Sequence, residues 1–291
     1  MVDKRVTSVR DIATFRVDPG RRLFSASHEE ILNGWTSDVY FVKTLDILRH
    51  LGHADDEAVA EIFPCSPGIM CGAEETRGLL EHLPVRVEAL PDGEPFAARE
   101  VIMRISGPYA AYGLFETAIL GILAQSSAWA TAARECKAAA GHKKVLCFGA
   151  RHVHPAVAPV MERAAIVGGA DAASCVLGAK LAGTEPGGTI PHACCLLVGD
   201  TVEVARAYLA TMPPGAPVII LVDTFKDEAE ETLRVAEALG EKLDGIRLDT
   251  PAERGGVTPD LVREVRARLD LGGYNHVKIA VSGGLNPERI R

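Results

Sequence analysis

Hydrophobic and polar positions change their rhythm near the middle of the chain. Up to about Pro108 the apolar runs are short and broken by turn residues. Residues 59–63, 85–90 and 101–105 read as strands, with turn chemistry at Pro91-Asp92-Gly93. Ser37 or Asp38 can start a helix whose apolar residues include Val39, Val42, Leu45 and Leu48. Residues 1–110 therefore predict a small α+β domain. Residues 116–140 are rich in Ala and Leu and are followed by Gly141, which predicts one long helix with a glycine stop. Beyond it, apolar strands at 145–148, 218–222, 245–248 and 277–281 alternate with helices at 226–239 and 259–269.

Strands alternating with helices of roughly 10–15 residues imply parallel βαβ units. Near-continuous apolar strands imply that both faces are covered. The fold class is α/β: an incomplete (β/α) barrel over residues 111–291, preceded by the smaller α+β domain, with a doubly wound sheet as the runner-up. Polar residues follow each strand: Gly149 to Arg151, Asp223-Thr224, Asp249-Thr250 and Ser282-Gly283-Gly284. Ligands bind at the carboxyl ends of strands in parallel α/β folds, so these residues form the expected polar mouth.

Composition narrows the function classes. The chain has 291 residues, is 47% hydrophobic and carries a net charge of −8. A phosphate backbone attracts basic faces, so general nucleic-acid binding is disfavoured; a small anion can still be held by clustered Arg and helix N-termini. Residues 1–22 are charged and lack an apolar run, so no signal peptide is expected. No stretch reaches the roughly 20 apolar residues of a membrane span. Seven cysteines read as reduced thiols in a cytoplasmic protein. Cys65 and Cys71 lack a second pair at zinc-finger spacing, and no metal ligands are assigned.

Each motif has a plain alternative. Ser282-Gly283-Gly284-Leu285-Asn286-Pro287-Glu288 has glycines that let backbone approach an anion, an N-cap and a Pro at the first helical position; it reads as a phosphate cradle or as an ordinary βα turn. Arg247 and Asp249 lie two apart on one strand and share a face. Arg247 can fork onto a phosphate while Asp249 holds ribose hydroxyls or Mg²⁺, or the two form a structural ion pair. Asp223 reads the same way. Phe148-Gly149-Ala150-Arg151 joins a ring that can stack on an aromatic base to a cation that can bind its carboxylate. His192 ends the glycine-rich stretch from Gly187 and is either a nucleophile or acid/base, or structural. Asp171 sits in a turn that is weak evidence by itself.

These pieces occur together and in order. The set Thr36-Ser37-Asp38-Val39-Tyr40-Phe41, Phe148-Gly149-Ala150-Arg151, Gly169-Ala170-Asp171, Gly188-Thr189-Ile190-Pro191-His192, Gly245-Ile246-Arg247-Leu248-Asp249 and Ser282-Gly283-Gly284 resembles nicotinate phosphoribosyltransferases of the type II phosphoribosyltransferase fold, over residues 24–290. The resemblance implies transfer of phosphoribose from phosphoribosyl pyrophosphate to nicotinate, with Mg²⁺ as cofactor and ATP as co-substrate, in a homodimer or higher homo-oligomer. It implies that Tyr40 reaches the pyridine site of a neighbouring subunit and that Phe148 stacks on the pyridine beside Arg151. It implies that His192 is phosphorylated by ATP. Asp223, Arg247 and Asp249 then bind ribose, pyrophosphate and Mg²⁺, Thr189 and Asp171 contact substrate, and Ser282, Gly283 and Gly284 begin the 5′-phosphate site.

Two departures stand out. Relatives continue into another glycine-containing phosphate strand, whereas this sequence stops at Arg291, and His152 stands where relatives often carry a second basic residue. Nicotinamide phosphoribosyltransferase is the nearest rival, since Asp171 can hold an amide. Quinolinate phosphoribosyltransferase shares the fold but calls for a denser cluster of Arg and Lys. A non-catalytic nucleotide-binding relative is the rival from another class.

Overall fold

The computed structural model describes residues 5–291, so the first four residues of the charged start lie outside it. Contacts divide the chain into two compact units, one ending at Gly187 and the other running from Gly188 to Arg291.

The first unit contains β1 (Glu57–Ile62), β2 (Gly68–Ile69), β3 (Arg86–Ala89), β4 (Pro95–Phe96) and β5 (Met103–Pro108). β1, β5 and β3 form an antiparallel sheet in that order, while β2 and β4 make a two-stranded ribbon. Alternation along β5 buries Met103 and Ile105, which join Leu45, Leu114, Phe115 and Ile119 in one core. Each such burial is worth about 1.5–3 kcal/mol before chain entropy is counted. Helix Val39–Leu51 starts after Asp38 and ends where Gly52 turns left-handed, and helix Glu116–Ala140 takes the bounds its composition predicts. β5 begins two residues later than the sequence pattern implies. The preceding chain is held in a turn, with Arg99 at φ +62° and the Ala97 N–H donating to Glu100.

Helix Glu116–Ala140 packs on helix Ala158–Val167. Gly168 permits the approach, because a Cβ there would lie 2.2 Å from the Ala130 carbonyl oxygen. β6 (Leu146–Cys147) and β7 (Ala172–Ala173) pair in parallel.

The second unit contains β8 (Ile219–Leu221), β9 (Gly245–Leu248) and β10 (Lys278–Val281), all parallel, in the order β10-β9-β8. Helices Glu228–Leu239 and Pro259–Leu271 follow β8 and β9 as the alternation predicts. All four residues of β9 are buried, in keeping with a strand covered on both faces. Leu221 and Ala280 flank Arg247 in register, and the core gathers Ile220, Val222, Val235, Ile246, Leu248 and Leu269.

Candidate active site

The polar cluster in the second unit is built where strands end. Asp223 lies two residues beyond β8, Asp249 directly beyond β9 and Ser282 directly beyond β10. Arg247 is the third residue of β9, and its head group reaches the same place. Its Nη2 donates to Asp249 Oδ2 at 2.7 Å, its Nη1 to Thr189 Oγ1 at 2.8 Å and its Nε to Ser282 Oγ at 2.8 Å. Ser282 in turn donates to Asp249 Oδ1 at 2.7 Å. The two-residue spacing on β9 thus produces the ion pair that the shared face allows.

Asp223 joins this network to His192. Its side chain is fully buried; Oδ2 accepts the Asp249 N–H at 2.9 Å, and Oδ1 lies 3.1 Å from His192 Nε2. His192 is the first residue of helix His192–Val198 rather than a loop residue. Pro191, held at φ −81°, is the N-cap that starts the helix there. A carboxylate only accepts, so Nε2 is the donor in this contact, and Nδ1 is the ring nitrogen that Asp223 does not engage.

The glycines after β10 adopt backbone conformations that a residue without a side chain takes readily. Gly283 and Gly284 have φ of +101° and +65°, a region that side chains disfavour. Asn286 caps helix Pro287–Ile290 by accepting the Arg289 N–H at 2.9 Å.

Thr189, His192, Asp223, Arg247, Asp249 and Ser282 are therefore connected in one hydrogen-bonded network. The remaining sequence candidates lie in the first unit. Phe148 is half-buried just past β6, and Arg151 is exposed in the 3₁₀ turn Ala150–His152. Tyr40 is 55% exposed in the first turn of its helix, with its ring 4.1 Å from that of Phe41. The Asp171 carboxylate accepts from Lys137 Nζ at 2.7 Å and from the Val145 N–H at 2.8 Å. Those bonds, Lys137 first, hold its pKa below the usual carboxylate range. Cys65 is exposed and Cys71 buried, and among the described residues no group of three His, Cys, Asp or Glu is placed to hold a metal.

Other residues support the network and carry no motif. Arg254 Nη1 donates to the Asp223 carbonyl at 3.1 Å. Buried Glu228 accepts from Thr250 Oγ1 at 2.8 Å, steadying the turn after Asp249. Glu162 is fully buried and accepts from Ala150 N–H, Ser174 Oγ and Cys175 N–H. Its one sequence signal is a charge within the apolar helix Ala158–Val167.

Asp223 and Asp249 offer hard carboxylate oxygens, and each oxygen has a second lone-pair direction beyond its hydrogen bond. That donor set suits Mg²⁺, which takes one or two carboxylates together with phosphate oxygens and water. The arrangement as a whole can grip a phosphorylated, polyhydroxylated anion: Arg247 as a charged fork, carboxylates for hydroxyls or a divalent cation, and backbone N–H groups after β10.

Comparison with known proteins agrees with this architecture. Residues 38–127 match the family described as quinolinate phosphoribosyl transferase, N-terminal domain, and residues 129–291 match the C-terminal domain of the same family. The crystal structure of nicotinate-nucleotide pyrophosphorylase from Pyrococcus furiosus is 44% identical, covering 93% of this chain and 71% of that one, with a TM-score of 0.89. Nicotinate phosphoribosyltransferase of Bacillus subtilis is 30% identical over 69% of this chain and 41% of its own length. Nicotinate phosphoribosyltransferase pncB2 of Mycobacterium tuberculosis is 30% identical over 98% of this chain and 58% of its own length. The chain thus spans about half the length of these curated relatives. No helix among the described residues is long and apolar enough to cross a membrane. The expected α/β class, a barrel-type domain after a smaller one, is the fold observed, and the chain belongs to the quinolinate phosphoribosyl transferase family, with the type II phosphoribosyltransferase fold.

Proposed function

We propose that this protein transfers the phosphoribosyl group of phosphoribosyl pyrophosphate to the ring nitrogen of nicotinate, in NAD biosynthesis, with ATP hydrolysis coupled to transfer. The observation that carries the reading is the network joining Thr189, Arg247, Asp249, Ser282, Asp223 and His192. The bond from C1 of the ribose to pyrophosphate breaks, and the pyridine nitrogen forms the new bond at C1. Charge grows on the leaving group, and Arg247 stabilises it there. Asp223 and Asp249 hold Mg²⁺, which when bound neutralises charge on the pyrophosphate. Ser282, Gly283 and Gly284 receive the 5′-phosphate. Phe148 and Arg151 stack on the base and pair with its carboxylate, so that attack becomes effectively unimolecular. His192 takes the γ-phosphoryl group of ATP on Nδ1 as the bond to ADP breaks and ADP leaves, and water later cleaves the phosphohistidine to phosphate. The protein acts as a cytoplasmic homodimer or higher oligomer in which Tyr40 serves a neighbouring subunit's pyridine site.

A second reading, transfer to quinolinate, is favoured by the family matched at 129–291. Pyrophosphate release with Mg²⁺, phosphoribosyl pyrophosphate and nicotinate, nicotinamide or quinolinate, each with and without ATP, decides between them. Turnover on nicotinate that ATP stimulates is expected. Turnover on quinolinate with release of carbon dioxide transfers the assignment to the second reading, and no release with any base overturns both.

A further inference from the structure

Glu162 is the one acidic residue of helix Ala158–Val167, and its side chain is sealed from solvent. Burying a carboxylate is costly unless its lone pairs are met. Here Oε1 accepts from the Ala150 N–H and from Ser174 Oγ, both at 2.9 Å, and Oε2 accepts from the Cys175 N–H. The donors belong to two different turns. Ala150 opens the 3₁₀ turn after β6, which carries Arg151 and follows Phe148 and Gly149; Ser174 and Cys175 directly follow β7. β6 and β7 are only two residues long and pair over Leu146↔Ala172 and Cys147↔Ala173. So short a ladder fixes little of what lies beyond it. One carboxylate instead ties both turns to the same helix. Gly149 reinforces this, since a Cβ there would meet Met161 Cε at 2.6 Å, so the turn lies directly against the residue preceding Glu162.

We infer that Glu162 is a positioning residue for the pyridine ring: it sets the turn bearing Phe148 and Arg151 and takes no part in holding phosphoribosyl pyrophosphate. This rests on the proposed function for the identity of the base. A carboxylate is required because both of its oxygens accept. In Glu162→Gln, whichever way the amide is turned, the Ala150 N–H or the Cys175 N–H faces an NH₂ group and loses its acceptor. Volume and packing are otherwise kept.

The test compares the full chain with Glu162→Gln by calorimetric titration of nicotinate, quinolinate and Mg²⁺–phosphoribosyl pyrophosphate, and by hydrogen exchange of peptides covering residues 148–152 and 174–176. The dissociation constant for the base is expected to rise about tenfold or more, the loss of one charge-assisted hydrogen bond. That for phosphoribosyl pyrophosphate should change less than about threefold, with faster exchange confined to those two turns. Weakening of both ligands alike, with exchange raised throughout the helix, reduces Glu162 to a stability residue and overturns the inference. Unchanged base affinity with faster exchange overturns it too, while leaving the proposed function standing. A wild-type chain that binds neither base overturns the proposed function and this inference together, and exchange at the two turns then still reports whether the carboxylate holds them.

Discussion

At the scale of single residues, the neighbour decides what an ionisable group does. His192 faces a buried carboxylate through Nε2, which leaves Nδ1 as the ring nitrogen that could accept a phosphoryl group in the proposed function. His192→Ala is expected to abolish ATP hydrolysis and to leave slow, ATP-independent transfer, measured as phosphate and pyrophosphate release in parallel. Loss of basal transfer together with nicotinate binding would remove the phosphoryl-acceptor role. Glu30 shows a second consequence. It accepts from Arg21 Nη2 and the Ser27 N–H, both at 2.8 Å, and these bonds lower its pKa to about 2. A depressed folded-state pKa stabilises the chain fully above the unfolded carboxyl's value of roughly 4.3, and that stabilisation fades as pH falls from there towards 2. The difference in thermal midpoint between wild type and Glu30→Gln should be constant above roughly pH 5 and close progressively in more acidic buffer. A difference independent of pH would refute the linkage. Arg247, Asp249, Asp223 and Ser282 were legible because a strand end marks each of them. Glu162 was not, since a lone acid in an apolar helix looks the same whether it faces solvent or two turns.

At the scale of elements, length governed legibility. Helix Glu116–Ala140 and strand β9 emerge with the bounds read from the sequence, because each carries its own stop: Gly141 after the helix, Asp249 after the strand. β6 and β7 are two-residue strands that exist only through each other, and no local pattern fixes where such a strand ends. Phe148, read as the last strand residue, consequently lies just past β6, ahead of the 3₁₀ turn. The start of helix His192–Val198 depended on Pro191, a residue that reads equally well as loop punctuation. The crossing of helices Glu116–Ala140 and Ala158–Val167 yields a prediction at this scale. Gly168→Ala places a methyl group against the Ala130 carbonyl and the Ala133 side chain. Overpacking of this kind costs about 1–3 kcal/mol, so urea unfolding should show a lower midpoint with an unchanged slope. An unshifted midpoint would mean that the two helices separate without cost.

At the scale of the whole molecule, the divisions of the chain are its least local property. Contact density separates the units after Gly187, whereas the family's two domains meet between residues 127 and 129. The first division falls in the Gly- and Pro-rich stretch 183–191, whereas the second lies within helix Glu116–Ala140 and has no such linker. The net charge of −8 does not exclude the anion binding proposed for this cluster, because Arg247 and the turns after the strands act over ångströms, while the net charge acts over a Debye length of roughly 8 Å in physiological salt. Arg247 also bears on the thermodynamics of recognition. An arginine side chain in water samples many rotamers, and freezing it on a ligand costs roughly 2 kcal/mol of entropy. With its guanidinium tied to Thr189, Asp249 and Ser282, that freedom is surrendered when the chain folds. An anion bound there as proposed would meet a fork that is already still, so its binding entropy would reflect released water more than side-chain ordering, and a ligand of the wrong shape would find a cation that does not swing out to meet it.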